Sequence, residues 1–211
     1  MRAYDPNAPK TFGSDLLKAH ADKQAPCLIS IIVPSHNEEG NLLPLYNELV
    51  HVLSRLPYPW ELIVVDDGSL DGTWREISML HAQDVYVKGI RLSRNFGHQY
   101  ALLAGLSHAT GQVLISMDAD LQHPPAVIPQ LLKEWQAGSK IVHTTRIDPP
   151  TLSLIKRLTS FSFYRLFTLL CGVEISAGRA DFRLLDRQVA DELLALRESD
   201  IFFRGLVHWM G

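Results

Sequence analysis

The sequence predicts an α/β fold with a mainly parallel, Rossmann-like sheet flanked by helices. From residue 28 onward, short runs rich in β-branched residues alternate with longer segments of helical period, an arrangement typical of βαβ units. Two of these runs end in acidic clusters, Asp66-Asp67-Gly68-Ser69 and Asp118-Ala119-Asp120. Ligands of open α/β sheets bind beyond the carboxyl ends of the strands, so carboxylates that follow two strands can converge on one ligand. The clusters therefore indicate a nucleotide and a metal cation.

Each predicted strand is a short apolar run, and we expect five or more of them. They are predicted at residues 28–33, 61–65, within 85–92, 113–117 and 141–144. The segment 41–55 is predicted to be a helix, because its period places Leu42, Leu45, Leu49, Val52 and Leu53 on one side. Shorter helices are predicted at 72–81, 99–108 and 127–135.

Length, charge and cysteine content limit the class of protein. The chain has 211 residues, of which 46% are hydrophobic, and a net charge of -3, so we expect one large domain and no nucleic-acid partner. Cys27 and Cys171 are the two cysteines; they indicate a reducing compartment or buried thiols and not a disulfide framework. Residues 1–26 lack the apolar core of a secretory signal and are interpreted as an N-terminal extension to a domain at 27–211. We also expect no membrane span, because no apolar run reaches the roughly 18 residues required.

The turn after the first strand argues against a dinucleotide-binding site. Such a site would place G-x-G-x-x-G there, but the chain has Pro34-Ser35-His36-Asn37-Glu38-Glu39. Pro34 stiffens the exit from the strand, and Asn37 and Glu38 offer amide and carboxylate groups suited to a base or a ribose. The alternative is that Asn37 or Asn41 caps the following helix.

The second cluster predicts a metal site. Two carboxylates, Asp118 and Asp120, beside the amide of Gln122 can hold Mg²⁺ or Mn²⁺, which would also bridge diphosphate oxygens. Neutralised in this way, a nucleoside diphosphate becomes a tolerable leaving group.

The first cluster could instead be a strand-to-helix turn with an aspartate cap. The pair of clusters predicts group transfer from an activated nucleotide, and the lack of a glycine-rich, lysine-bearing phosphate loop near the first strand disfavours a nucleotidyltransferase.

Four segments resemble glycosyltransferase family 2 in order and spacing. They are VPSHNEE at 33–39, VDDGS at 65–69, LSRNFG at 92–97 and MDADLQHPP at 117–125. Within that family the chain, over residues 28–211, is similar to the branch that transfers a sugar to a polyprenyl phosphate, namely dolichyl-phosphate mannose synthases and bacterial undecaprenyl-phosphate glucosyl- and aminoarabinosyltransferases. DFRLL at 181–185 and the segment 198–211, with FFRGL and HWMG, resemble the tract that these enzymes carry before their membrane helices.

The resemblance implies a GT-A fold and an inverting, metal-dependent hexosyltransferase that uses a UDP- or GDP-sugar. It places the nucleoside near Pro34, His36, Asn37, Glu38, Asp66 and Asp67. It places the metal and diphosphate at Asp118, Asp120 and Gln122, and the acceptor phosphate at Arg146, Lys156, Arg157 and Ser160. Asp181 joins Asp118 and Asp120 as a candidate catalytic residue, with an ion pair to Arg183 or Arg179 as its alternative role. Arg204 could reach the donor diphosphate or form a surface ion pair, whereas Arg94 and Asn95 are expected to tie the loop after the third strand to its neighbours.

The expected acceptor is a lipid phosphate, which is already ionised at neutral pH and so needs no strong general base. The segment 152–173 has the excess apolar surface of an amphipathic helix and could lie in a membrane interface; the alternatives are core packing or packing in a homo-oligomer. Relatives continue into two membrane-spanning helices whereas this sequence ends at Gly211, so we expect a truncated catalytic domain or a soluble member. The expected location is peripheral, on the cytoplasmic face of the membrane, in cell-envelope biogenesis.

Two positions depart from the family pattern, Gln112 and His123, and neither is expected to touch the metal ligands. The alternatives to lipid-phosphate transfer are transfer to a saccharide or another non-lipid acceptor, and a nucleotide-binding module without catalysis.

Overall fold

The apolar runs form strands and the segments of helical period form helices in the computed structural model, which describes residues 27–145 and 179–196. The strands are β1 (Ile29–Ser35), β2 (Trp60–Asp66), β3 (Val87–Arg91), β4 (Val113–Ser116), β5 (Ile141–Thr145) and β6 (Arg179–Asp186). The α-helices are α1 (Leu42–Leu53), α2 (Thr73–Gln83), α3 (His98–His108), α4 (Ile128–Gln136) and α5 (Arg187–Ala195), and a short 3₁₀ turn (Pro125–Val127) precedes α4. The five predicted strands and four predicted helices are confirmed, and β6 and α5 are additional elements. None of the helices in these two ranges is long and apolar enough to cross a membrane.

The strands form one mixed sheet in the order β3-β2-β1-β4-β6-β5. Strands β1 to β4 pair in parallel, which confirms the mainly parallel sheet, and β6 runs antiparallel to both β4 and β5. The carboxyl ends of the four parallel strands therefore meet at one edge, and the amino end of β6 joins them there. We call this edge the loop edge.

Helices cover both faces of the sheet, so the central strands are buried on both sides. All seven residues of β1 are buried, which explains why its sequence is almost continuously apolar. One core cluster joins alternate residues of β1 to α1, α2 and α4, and a second joins the other face to α3 and α5. On α1 the buried residues Leu42, Leu45, Leu49 and Leu53 form the predicted apolar stripe.

A buried carboxylate fastens the strands at the opposite edge. Glu61 of β2 is 4% exposed and accepts hydrogen bonds from Ser30 Oγ at 2.6 Å, Thr110 N at 2.7 Å and Lys88 Nζ at 2.5 Å. Burial raises the pKa of this carboxyl, but the hydrogen bonds from Lys88, Ser30 and Thr110 outweigh burial, so the pKa of Glu61 is lowered. One charged group thus joins β1, β2, β3 and the loop before β4.

Candidate active site

The loops that follow β1 and β2 are joined by hydrogen bonds along the loop edge. Asn37 N donates to Ser69 Oγ at 3.0 Å, and Asn37 Oδ1 accepts from Leu70 N at 3.0 Å. Glu38 N donates to Thr73 Oγ1 at 2.8 Å. Asn37 has a φ of 57°, a left-handed conformation that asparagine tolerates better than most residues. The polar residues that suggested a ligand here therefore fix the shape of the edge as well.

Two glutamates cap each other's helices. Glu76, in the first turn of α2, accepts from Gly40 N and Leu43 N at the start of α1, both at 2.8 Å. Glu39, just before α1, accepts from Gly72 N at the start of α2 at 2.9 Å. These carboxylates satisfy helix N-terminal N–H groups that have no partner within the helix.

The alternative that Asn37 or Asn41 is the N-cap of α1 is correct for the position of Asn41, but the side chain of Asn41 does not make the capping hydrogen bond. Asn41 occupies the N-cap position without a side-chain cap hydrogen bond, and its amide donates to Glu38 Oε2 at 2.7 Å. The side-chain oxygen of Asn37 accepts a hydrogen bond from Leu70 N and not from the start of α1. The capping oxygens come instead from α2, a partner that local sequence does not reveal.

Asp66 and Asp67 are buried and hold neighbouring loops. Asp67 is 3% exposed; its two carboxylate oxygens accept from Phe96 N and Gly97 N, each at 2.8 Å. Asp66 is 0% exposed; its Oδ1 accepts from Ser69 N at 2.8 Å and its Oδ2 lies 3.3 Å from Arg91 Nε. The first acidic cluster lies in a strand-to-helix turn, as the structural alternative predicted, but the N-cap residue of α2 is Gly72 and not an aspartate. Contact of Asp66 and Asp67 with a nucleotide stays a prediction.

His36 connects three loops of the edge. Its Nδ1 lies 2.8 Å from the Asp67 carbonyl oxygen, and because a carbonyl only accepts, Nδ1 carries the proton. Its Nε2 lies 3.1 Å from the side-chain amide nitrogens of both Asn37 and Asn95, so the unprotonated nitrogen accepts from the loop after β1 and from the loop after β3. The predicted tying role of Asn95 is confirmed.

An open cleft of about 360 Å³ lies beside these loops. It is lined by Gly68, Ser69, Leu70, Arg91, Leu92 and Ser93. Gly68 has a φ of +68°, and a Cβ on it would meet the backbone carbon of Arg94 at 2.4 Å. Glycine at this position therefore lets the loop after β2 approach the loop after β3.

The second acidic cluster is more accessible than the first. The Asp118 side chain is 36% exposed and Asp120 is exposed, and both follow β4 at the loop edge. Leu121, the residue between Asp120 and Gln122, has a φ of 60°, which is unfavourable for leucine. Its side chain packs against the core cluster that joins β1 to α1, α2 and α4. That packing turns Asp120 and Gln122 toward solvent, and Asp120 Oδ1 accepts from Gln122 N at 3.0 Å.

These residues fit a hard divalent cation. Asp118, Asp120 and Gln122 supply carboxylate and amide oxygens, the ligand type that Mg²⁺ and Mn²⁺ prefer. Within the described residues no group of three or more His, Cys, Asp and Glu side chains could hold a metal.

Two histidines contact Asp118, which sequence reasoning missed. His98 Nε2 lies 3.2 Å from Asp118 Oδ1, and Asp118 N donates to His123 Nδ1 at 3.2 Å. The expectation that His123 touches no metal ligand is therefore wrong: the loop after β4 folds back and brings it to Asp118, and its ring also stacks on Phe182 at 5.5 Å. Gln112 lies at the other end of β4, where it accepts from Leu28 N at 2.6 Å.

Asp181 reaches the same edge through the antiparallel strand β6. Ser116 of β4 is paired with Arg183, and Ser116 Oγ donates to the Asp181 carbonyl at 2.7 Å. Arg183 Nη2 donates to Asp181 Oδ1 at 2.5 Å, and these side chains are 3% and 12% exposed. The ion pair named as the alternative role of Asp181 is confirmed, and its role in catalysis stays a prediction.

Several predicted groups lie outside the described residues. They are the acceptor-phosphate residues Arg146, Lys156, Arg157 and Ser160, the donor residue Arg204, the segment 152–173, Cys171 and the extension 1–26. Their roles stay predictions.

The sequence is similar to several bacterial and phage glycosyltransferases. It is 40% identical over 185 residues to an uncharacterized glycosyltransferase of Bacillus subtilis, covering 86% of this chain and 56% of the relative. It is 39% identical over 184 residues to a bactoprenol glucosyl transferase of Shigella phage SfX, covering 87% of this chain and 60% of the relative. The chain thus spans less than two thirds of the length of these curated relatives.

Solved structures share the fold at low identity. Glucosyl-3-phosphoglycerate synthase of Mycobacterium tuberculosis, solved with Mn²⁺, UDP and phosphoglyceric acid, matches with a TM-score of 0.54 at 21% identity, covering 83% of this chain and 60% of that one. Mannosyl-3-phosphoglycerate synthase of Rubrobacter xylanophilus matches with a TM-score of 0.57 at 20% identity, covering 77% and 54%. The expected GT-A fold is confirmed. The profile of glycosyl transferase family 2 matches residues 30–194, most of the sequence, and the chain belongs to that family.

Proposed function

We propose that this chain is the catalytic domain of an inverting transferase that moves a sugar from a UDP- or GDP-sugar to a polyprenyl phosphate. The observation that carries the proposal is the pair of accessible carboxylates, Asp118 and Asp120, at the loop edge of a family 2 fold. The 39% identity to a bactoprenol glucosyl transferase supports a lipid-phosphate acceptor. Proteins of this fold solved with Mn²⁺ and a nucleotide sugar support the use of a divalent metal.

Asp118, Asp120 and Gln122 would hold the cation with their oxygen atoms. A divalent cation bound there would supply positive charge to the diphosphate as it leaves the sugar. The loop after β3 is fixed by Asp67 and by His36, so the cleft beside it is already shaped before a donor arrives. This rigidity favours binding of the donor in one orientation.

The reaction is a single displacement. A phosphate oxygen of the acceptor forms the bond to the anomeric carbon, the bond from that carbon to the diphosphate oxygen breaks, and its electron pair leaves with the nucleoside diphosphate. One displacement inverts the anomeric configuration. Because the attacking phosphate carries no proton at neutral pH, Asp181 is an orienting carboxylate in this proposal, in keeping with its ion pair to Arg183.

Donor binding is tested by calorimetric titration of UDP, GDP and their sugars with and without Mn²⁺. We expect saturable binding of one nucleotide series that strengthens with Mn²⁺, and loss of that strengthening in Asp120→Asn. Asp191→Asn is the matched control, because Asp191 is an exposed carboxylate on α5 outside the loop edge. No saturable binding of any nucleotide would contradict the proposal and leave only a scaffold role.

The acceptor is tested separately with radiolabelled donor and a short-chain polyprenyl phosphate. After solvent extraction, label in the organic phase supports transfer to the lipid phosphate. Label that stays with a saccharide acceptor in a parallel reaction, with none in the lipid, would instead assign the non-lipid alternative. Asp120→Asn serves as the inactive reference in both reactions.

A further inference from the structure

We propose that His98 is a positioning residue that holds the Asp118 carboxylate and links it to the loop after β3. The inference rests on the proposed function, because it concerns how the metal-binding carboxylate is held. His98 is the first residue of α3, an element that supplies none of the predicted metal ligands. Its Nε2 lies 3.2 Å from Asp118 Oδ1, and its side chain is 42% exposed.

The proton arrangement gives His98 a role that His123 does not share. A carboxylate only accepts hydrogen bonds, so His98 Nε2 must donate to Asp118 Oδ1. At His123 the backbone N–H of Asp118 donates to Nδ1 at 3.2 Å, so that nitrogen accepts. The 3.4 Å approach of the same nitrogen to Asp118 Oδ2 is therefore a contact without a donated hydrogen bond. His98 orients the carboxylate, and His123 orients the backbone that carries it.

His98 is itself held by the first acidic cluster. The two residues before it, Phe96 and Gly97, donate their backbone N–H groups to the buried Asp67 carboxylate at 2.8 Å each. Gly97 has a φ of 100° and starts α3 directly before His98. The backbone of Phe96 and Gly97 therefore connects the Asp67 carboxylate to the His98 ring that contacts Asp118.

A carboxylate oxygen has two lone pairs, so one can accept from His98 while the other faces a metal. Hydrogen-bond partners of this kind fix the orientation of metal-ligating carboxylates, and their loss costs about 10- to 100-fold in metal affinity. We expect His98→Ala to weaken Mn²⁺ binding in the presence of saturating UDP or GDP by about that factor. The side-chain amide of His98→Gln retains an N–H donor and should recover much of the loss.

The experiment measures Mn²⁺ affinity by electron paramagnetic resonance, with UDP or GDP as the nucleotide probe. His108→Ala is the matched control, since it removes a histidine from the other end of α3, where its ring contacts the Ala104 carbonyl. Thermal unfolding of each variant confirms that it is folded. Nucleotide affinity without Mn²⁺ should stay within about twofold of the parent, because His98 acts through Asp118.

The outcomes separate the two proposals. Equal Mn²⁺ affinity of His98→Ala and the parent would overturn the role of His98 and leave the proposed function standing. Equal weakening in His98→Gln and His98→Ala would also overturn it, because the donated hydrogen bond would then not be the cause. Absence of Mn²⁺-dependent nucleotide binding in the parent would overturn both.

Discussion

Replacement of Asp67 by asparagine tests whether the first acidic cluster holds loops or contacts a ligand. In the parent, two backbone N–H groups donate to one buried carboxylate, each at 2.8 Å. Asparagine keeps one acceptor oxygen but turns an amide toward the second N–H, so one hydrogen bond is lost and the other loses its charge. Hydrogen bonds to charged groups contribute about 1.5–3 kcal/mol each. We expect Asp67→Asn to lower the free energy of unfolding by about 2–4 kcal/mol.

The assay is urea unfolding followed by tryptophan fluorescence, with thermal unfolding in parallel. A loss of about 3 kcal/mol corresponds to roughly 6–12 °C in the midpoint for a domain of this size. Asp191→Asn, at a side chain that is 60% exposed, should stay within about 0.5 kcal/mol of the parent. If Asp67→Asn were as stable as that control but bound no nucleotide, Asp67 would be a ligand contact. Its role in holding the loop after β3 would then be refuted.

Three further substitutions test other parts of the structure. Glu76→Ala leaves the N–H groups of Gly40, just before α1, and of Leu43, in its first turn, without their acceptor, and should lower the free energy of unfolding by about 1–2 kcal/mol. Glu48→Ala, at an exposed position of α1, should change it little, and equal effects would exclude the capping role. Gly68→Ala should be more destabilising than Gly138→Ala, because both have positive φ but the Cβ at Gly138 meets nothing within 4 Å; urea midpoints decide, and equal losses would contradict the close approach. The pKa of Glu61 is lowered in the folded state, so its carboxylate stabilises the fold at pH values above the unfolded pKa of about 4.3. This contribution is lost as the pH falls through the folded pKa. Unfolding of the parent and Glu61→Gln at pH 7 and at acid pH should therefore show a difference that shrinks on acidification, and a constant difference would contradict that sign.

Sequence patterns predicted the parallel part of the fold because each element there has a local signature. The run from Ile29 to Val33 is apolar and β-branched, and α1 repeats leucine at helical spacing. Strand β6 is harder to predict, since RADFRLLD mixes charges with apolar residues. Its charges are accommodated by distant partners, Arg183 by Asp181 and Asp186 by Trp135 Nε1 at 2.8 Å.

The residues of the candidate site also differ in whether local sequence reveals them. Asp118 and Asp120 are recognisable because they lie two residues apart, directly after a predicted strand. His98 and His123 are not, because each acts on Asp118 across a fold that local spacing does not encode. A histidine at the first position of a helix carries no signal of its own; the available clue is that LSRNFG directly precedes it.

The distribution of negative charge along the loop edge follows from which carboxylates the backbone already occupies. Asp67, Glu39 and Glu76 each accept backbone N–H groups from a neighbouring loop or helix start. Asp118 and Asp120 lie on the same edge but remain accessible. The proposed cation would therefore find accessible carboxylates after β4, while the carboxylates after β1 and β2 keep the surrounding loops in place.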